Sequence, residues 1–373
     1  MSYFDTSSPP AKRIPVTLLT GFLGSGKTTL LNQLVQQPSM SRALVIINEF
    51  GEIGLDHELF SASTNGEQIE LSNGCICCSI RTDLAQTLTN AVWRFAREGK
   101  RQFDRLIIET TGLADPAPIV HTLMSEARVA RHYALDGIVT VVDAANGSTT
   151  LDRHEEALRQ AAMADLLLIT KQDVASKDQL DALRQRLSAI NPSAPLQLLD
   201  HGHIDADALL GLGPEDMEAR NDDIQRWLGE AASQRAAPHA PTLSPNALFA
   251  SVGKAEVRTG QMPTAPSPDL NRHDDHIRAH CFVFEHPIKA ARLEAWLSLV
   301  TSLMGHDMLR IKGMLDIEGR DRPLVIHGVQ HLFHPPVELE AWPGGERFSR
   351  LVFITRDIPR ETLEMTLGDF LNS

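Results

Sequence analysis

Two hydrophobic rhythms divide the chain. Between residue 14 and about residue 213, short aliphatic runs alternate with longer segments whose apolar positions recur every three to four residues. The runs 16–20, 43–47, 106–109, 137–142 and 166–170 are each bounded by polar residues or glycine. Their unbroken apolar character suits strands buried on both faces of a parallel sheet. The intervening segments 28–36, 82–97, 154–162 and 178–187 carry helical spacing. This alternation predicts a doubly wound, mostly parallel α/β domain, in which ligands bind beyond the carboxyl ends of the strands.

The pattern changes toward the C-terminus. Residues 280–285 alternate like a strand, and 289–304 place Leu293, Trp296, Leu297, Val300 and Met304 on one helical face. Segments 308–314, 324–327 and 349–355 read as further strands, and 359–370 as a closing helix. The order predicts a smaller α+β domain, an antiparallel sheet with helices on one face. Between the two rhythms, six prolines lie from Pro238 to Pro268 among Ser, Thr, Ala and Gly, a composition too poor in apolar residues to bury a core. The expected organisation is a loose tail over 1–13, a first domain over 14–230, a linker over 231–276 and a second domain over 277–373.

Composition narrows the classes. A length of 373 residues leaves room for about two domains. Forty-eight acidic against 35 basic residues give a net charge of −13, so binding nucleic acid or an anionic membrane by bulk charge is not expected. No run approaches the roughly 18 apolar residues of a membrane-spanning helix. The polar N-terminus lacks the apolar core of a signal peptide, so a cytoplasmic location is expected. Four cysteines are too few for a disulfide scaffold, and three of them, Cys75, Cys77 and Cys78, fall within four residues. In a reducing compartment such clustering points to metal or redox chemistry.

Residues 21–28, Gly-Phe-Leu-Gly-Ser-Gly-Lys-Thr, fit G-x-x-x-x-G-K-[ST], with an apolar run before and a helical pattern after. A loop that wraps a polyphosphate with backbone N–H groups needs side chains absent where it comes closest, and Gly21, Gly24 and Gly26 meet that need. The helix that follows presents its positive dipole to the anion. Lys27 is expected to neutralise the β- and γ-phosphates and the Thr28 hydroxyl to ligate Mg²⁺, with Ser25 and Thr29 completing the contacts. Leu106–Glu109 is a strand-like run ending in a carboxylate where a Walker B acid belongs. Glu109 is expected to hold Mg²⁺ through water or to orient the attacking water, and Gly112 to offer its N–H to the γ-phosphate.

After the run 166–169 comes Thr170-Lys171-Gln172-Asp173. Asp173 is placed to accept both N1–H and N2–H of guanine, a donor pair adenine lacks. Lys171 would lie along the base plane. The usual guanine loop is N-K-x-D, and Thr170 stands in place of its asparagine.

Three thiolates converging on one borderline cation explain Cys75-Ile76-Cys77-Cys78 better than strained adjacent disulfides. A fourth Zn²⁺ ligand would come from Glu52, Glu49, His57 or solvent. His273, His276 and His280 read as a solvated linker end rather than a metal site, and Cys281 as core.

With these loops in this order, the chain resembles the CobW family of P-loop GTPases. The residues that carry the resemblance are GFLGSGKTTLLN (21–32), NEFGEIGLD (48–56), NGCICC (73–78), ETTGLADP (109–116), VVDA (141–144), TKQD (170–173), RIKGML (310–315) and RLVFITRD (350–357). The resemblance implies a GTP- and Mg²⁺-dependent metallochaperone that binds Zn²⁺ or Co²⁺ through Cys75, Cys77 and Cys78, with Glu52 as a further ligand. It implies delivery of the metal to a client metalloprotein, and a CobW-type C-terminal domain. Ile47 stands where some relatives carry a glutamate, which removes an accessory ligand. Two other readings remain: a metal-sensing or storage protein with slow GTP hydrolysis as a timer, and a P-loop small-molecule kinase. Glu49, Glu52 and Glu109 all stay open as the water-activating residue.

Overall fold

The computed structural model describes residues 13–48, 68–70, 80–199, 202–213, 276–345 and 347–371. In chain order the first part comprises β1 (Ile14–Thr20), α1 (Lys27–Leu34), β2 (Ala43–Asn48), β3 (Gln68–Glu70), α2 (Ile80–Arg94) and a small hairpin of β4 (Ala96–Arg97) and β5 (Lys100–Arg101). It continues with β6 (Arg105–Thr110), α3 (Ala117–Ser125), α4 (Ala127–Ala130), β7 (Tyr133–Asp143), α5 (Gly147–Arg153), α6 (Glu155–Met163), β8 (Leu166–Thr170), α7 (Lys177–Ile190) and β9 (Leu196–Leu198).

Seven strands form one sheet in the order β3-β2-β6-β1-β7-β8-β9, with every pair parallel. Alternate residues of each strand serve opposite faces. Val16, Leu18, Ile46 and Ile108 pack with α2 and α3, whereas Leu19, Val45 and Ile107 pack with Leu30, Leu31 and Leu34 of α1. Both faces are therefore covered, which is why the strands read as continuous apolar runs. The registers Leu19↔Glu109, Ile47↔Glu109 and Asp143↔Thr170 bring the polar strand ends level along one edge of the sheet.

Some elements escape the periodicity. The edge strands β3 and β9 have three residues each, too few to show a period. Helix α3 is masked by Pro116 and Pro118, yet proline is tolerated in a helix's first turn, where its missing N–H has no partner to lose. Helix α7 opens where a capping box marks it: Ser176 accepts from the Gln179 N–H, and the Gln179 side chain returns to the Ser176 N–H.

The second part holds β10 (Ile277–Phe284), α8 (Ala290–Met304), β11 (Met308–Leu315), β12 (Leu324–Val329), β13 (Leu332–Phe333), β14 (Val337–Glu338), β15 (Ser349–Arg356) and α9 (Arg360–Leu371). Its antiparallel sheet runs β10-β15-β11-β12-β13. Helices α8 and α9 cover one face, where Trp296 stacks edge-on to Phe353 with ring centres 5.5 Å apart. The other face is covered too. Ile277, Leu309, Val329 and Ile354 join the same core as the first domain's strands, and Cys281 sits half-buried beside Met314 and Val352. The proline-rich stretch lies outside the described residues except for His276. No described helix is long and apolar enough to cross a membrane.

Candidate functional site

Beyond Thr20 the chain turns tightly over residues 21–26 before α1 begins. Gly21, Gly24 and Gly26 have φ of 141°, 72° and 98°, values that residues with side chains rarely adopt. A Cβ on Gly21 would lie 2.3 Å from the Val141 carbonyl oxygen. Gly26 caps α1 with no side-chain hydrogen bond, and the first turn carries no acidic residue. The helix end therefore presents its N–H groups to an anion without an internal competitor. Lys27 is buried and folds back over the loop, its Nζ donating to the carbonyls of Gly21 (2.9 Å) and Phe22 (3.1 Å). Ser25 is buried within the loop and Thr29 is exposed at the start of α1.

The strand β6 delivers Glu109 beside this loop. The Thr28 hydroxyl donates to Glu109 Oε1 at 2.8 Å, and the Thr110 hydroxyl donates to that of Thr20 at 2.9 Å. A hydroxyl and a carboxylate meeting at a phosphate-binding loop are the hard oxygen donors magnesium prefers. Thr28 and Glu109 would hold Mg²⁺, whose charge would neutralise phosphate oxygens. Gly112 is packed tightly: a Cβ there would lie 2.4 Å from the Leu23 nitrogen. The acidic loop's backbone thus rests directly on the phosphate loop's backbone.

The loop 170–173 is latched onto the same structure. Thr170 Oγ1 donates to the Ser25 carbonyl at 2.7 Å. The Thr170 hydroxyl thus ties this loop to the phosphate loop. Lys171 takes a positive φ of 56° and sends Nζ to Gly24 O and to Asp143 Oδ2, each at 2.7 Å. Burial pushes the Asp143 carboxyl up, but Lys171 and the N–H groups of Ala145 and Asn146 outweigh it and hold the group below the usual range. Asp173 stands exposed at the end of the loop. A cavity of about 230 Å³ adjoins the phosphate loop, lined by Phe22, Ser25, Asp143, Asn146, Gln160 and Lys171 among others.

The structure therefore brings together the expected nucleotide residues Gly21, Gly24, Ser25, Gly26, Lys27, Thr28, Glu109, Gly112 and Lys171. Cys75, Cys77, Cys78, Glu49, Glu52 and His57 lie outside the described residues. His273 does as well. His280 is buried and faces the Ile358 carbonyl, while His276 pairs with Asp357, so these two histidines have separate partners. Among the described residues no group of three or more His, Cys, Asp or Glu side chains is poised for a metal ion.

Sequence reasoning gave no role to Asp143, although it shares the signature of Glu109, a carboxylate ending an apolar run. It also gave none to Arg159 and Gln160, whose contacts with the acidic loop lack any local signal.

Comparison with known proteins agrees with this arrangement. Residues 15–197 match the model of the CobW/HypB/UreG nucleotide-binding domain, and residues 277–371 match the cobalamin synthesis protein cobW C-terminal domain. The chain is 31% identical over 351 residues to the zinc chaperone YjiA of Escherichia coli (strain K12), covering 94% of this chain and 96% of that protein. It is 29% identical to the zinc chaperone CobW of a Sinorhizobium species, covering 92% of each. The crystal structure of the Zn(II)-bound YjiA GTPase from E. coli superposes with a TM-score of 0.64 at 28% identity, covering 96% of this chain and 99% of that one.

Proposed function

The chain belongs to the CobW/HypB/UreG family of nucleotide-binding proteins, and on that premise we propose that it is a GTP-hydrolysing zinc chaperone. The observation that carries the GTPase half is the 2.8 Å hydrogen bond between Thr28 and Glu109, set beside a lysine-capped phosphate loop. Lys27 neutralises the β- and γ-phosphates, and Gly112 meets the γ-phosphate with its N–H. Glu109 holds Mg²⁺ with Thr28. Lys171 and Asp173 read guanine, the carboxylate accepting from both N1–H and N2–H.

Zinc is the cargo. Cys75, Cys77 and Cys78 are its thiolate ligands, and Glu52 supplies a further oxygen. Relatives named as zinc chaperones support zinc over cobalt, which thiolates alone do not distinguish. The thiolates follow β3 by five positions, counted from Glu70 to Cys75. Strand β3 pairs with β2, and β2 pairs with β6, the strand that carries Glu109. A change at the γ-phosphate thus has a short covalent and hydrogen-bonded route to the metal segment. Hydrolysis then releases zinc toward a client metalloprotein.

Protein purified anaerobically without chelator tests the proposal. The expected result is one thiolate-bound zinc per chain, lost in Cys77→Ala, together with Mg²⁺-dependent turnover of GTP in preference to ATP. Protein that takes up no zinc through these cysteines and treats both nucleotides alike contradicts it.

A further inference from the structure

The acidic loop that follows Glu109 is gripped from outside by two consecutive residues of α6. Gln160 directs its amide Nε2 at the carbonyl oxygens of Gly112 (3.3 Å) and Ala114 (3.0 Å). Arg159 donates from Nη1 to Asp115 Oδ2 at 2.9 Å. The other Asp115 oxygen accepts from the Ala117 N–H at 2.9 Å, where α3 starts. Gln160 is itself anchored: it is 1% exposed, and its backbone carbonyl accepts from Thr140 Oγ1 on β7 at 2.7 Å.

The grip continues beyond α6. Arg159 Nη2 donates to Glu155 Oε1 at 2.7 Å, and the same oxygen accepts from Arg356 Nη1 at 2.7 Å. Arg356 in turn reaches Asp307 Oδ1 through Nε (2.9 Å) and Nη2 (2.6 Å). Arg356 ends β15 and Asp307 directly precedes β11. Charges of alternating sign therefore run without a break from the acidic loop to the C-terminal sheet. Burial alone would lower the pKa of Arg159, but Asp115 and Glu155 outweigh it and hold the guanidinium above its ordinary range.

This grip lies where catalysis is sensitive to position. A side chain at Gly112 would collide with the Leu23 backbone, so the acidic loop lies close against the phosphate loop on one side while Gln160 holds its carbonyls from the other. We propose that Arg159 and Gln160 are positioning residues for GTP hydrolysis, setting where Gly112 meets the γ-phosphate, and that Glu155 and Arg356 make the C-terminal domain the outer anchor of this clamp. The proposal rests on the GTPase reading above. A merely structural role predicts something different. Glu155 has a side chain 57% exposed, and ion pairs this open add little to stability.

The test uses the full-length protein with Mg²⁺ and GTP, reading kcat and KM. It also reads affinity for GDP and for a non-hydrolysable GTP analogue, and the thermal midpoint. In Gln160→Leu the expected kcat falls about 10- to 100-fold, the scale of a small misplacement at a reacting centre, while GDP affinity is unchanged. Its preference for the analogue over GDP shrinks. Arg356→Met, a change at the domain boundary, lowers kcat about threefold at assay temperatures well below its midpoint, with GDP affinity unchanged, and Arg356→Lys recovers part of the loss. Should Gln160→Leu fail to fold, the Arg356 pair decides. Wild-type kcat in the folded variants overturns the clamp, as does a fall matched by equal losses of GDP affinity and midpoint. A wild-type protein that neither hydrolyses GTP nor prefers the analogue overturns the GTPase reading and the clamp with it. Turnover in wild type with no effect of the variants overturns the clamp alone.

Discussion

Just before β8 begins, Asp165 is 4% exposed and sealed against the C-terminal sheet, ion-paired to Arg310 and Lys312 and in contact with His327. At the strand's other end, five residues on, Thr170 and Lys171 latch onto the phosphate loop and lead to an exposed Asp173. The two aspartates have the same chemistry and opposite surroundings. Burial pushes the Asp165 carboxyl up, but Arg310, Lys312 and His327 together hold it well below the usual range. Asp165 is shut off from bulk solvent, so it must have partners within the protein. Asp173 is open to solvent and so stable without a protein partner. The difference shows how one strand joins two domains at its base and carries at its tip the loop proposed to read the nucleotide.

Removing the buried partner should break the comparison most severely. Asp165→Ala leaves Arg310 and Lys312 buried against no carboxylate, an expected loss of about 3–5 kcal/mol in a urea unfolding measurement. The nucleotide end answers differently. Asp173→Asn should weaken GTP about 100-fold, close to 2.7 kcal/mol, by replacing an acceptor of two donors with an amide. Its unfolding midpoint should not move, because no buried group loses a partner.

A third test applies acid at the seam. Burial, together with Arg310, pushes His334 down to about 4, and His327 stacks on it with ring centres 5.2 Å apart. Burial and then Arg310 also push His327 well below its ordinary value. The folded state thus binds fewer protons than the unfolded state. Stability should be complete above the ordinary histidine pKa of about 6.5 and decline as pH falls toward 4. Unfolding free energies measured between those limits check this, and His334→Gln should flatten the slope.

Most of the nucleotide end was legible in the sequence because its signals are local. Glycine spacing, an apolar run before the loop and a carboxylate at a strand end each lie within a few residues. Thr170 departs from the N-K-x-D pattern, and its hydroxyl donates to the Ser25 carbonyl of the phosphate loop. The seam was not legible. Asp165 and Arg310 are 145 residues apart, and Arg310 and Lys312 alternate with apolar neighbours on β11. That pattern normally marks a solvent-facing side of a strand, but here the side faces another domain. The proposed zinc ligands, read from three closely spaced cysteines and, with Glu52, from the family resemblance, lie outside the described residues, and the grip of Arg159 and Gln160 on the acidic loop had no sequence signal.

The most direct measurement is the zinc affinity of the full chain, by competition with a chelator, with a non-hydrolysable GTP analogue and again with GDP, Mg²⁺ present in both. A nucleotide-gated chaperone predicts affinities at least about fivefold apart, the lower bound of typical coupling between sites. Equal affinities would contradict it.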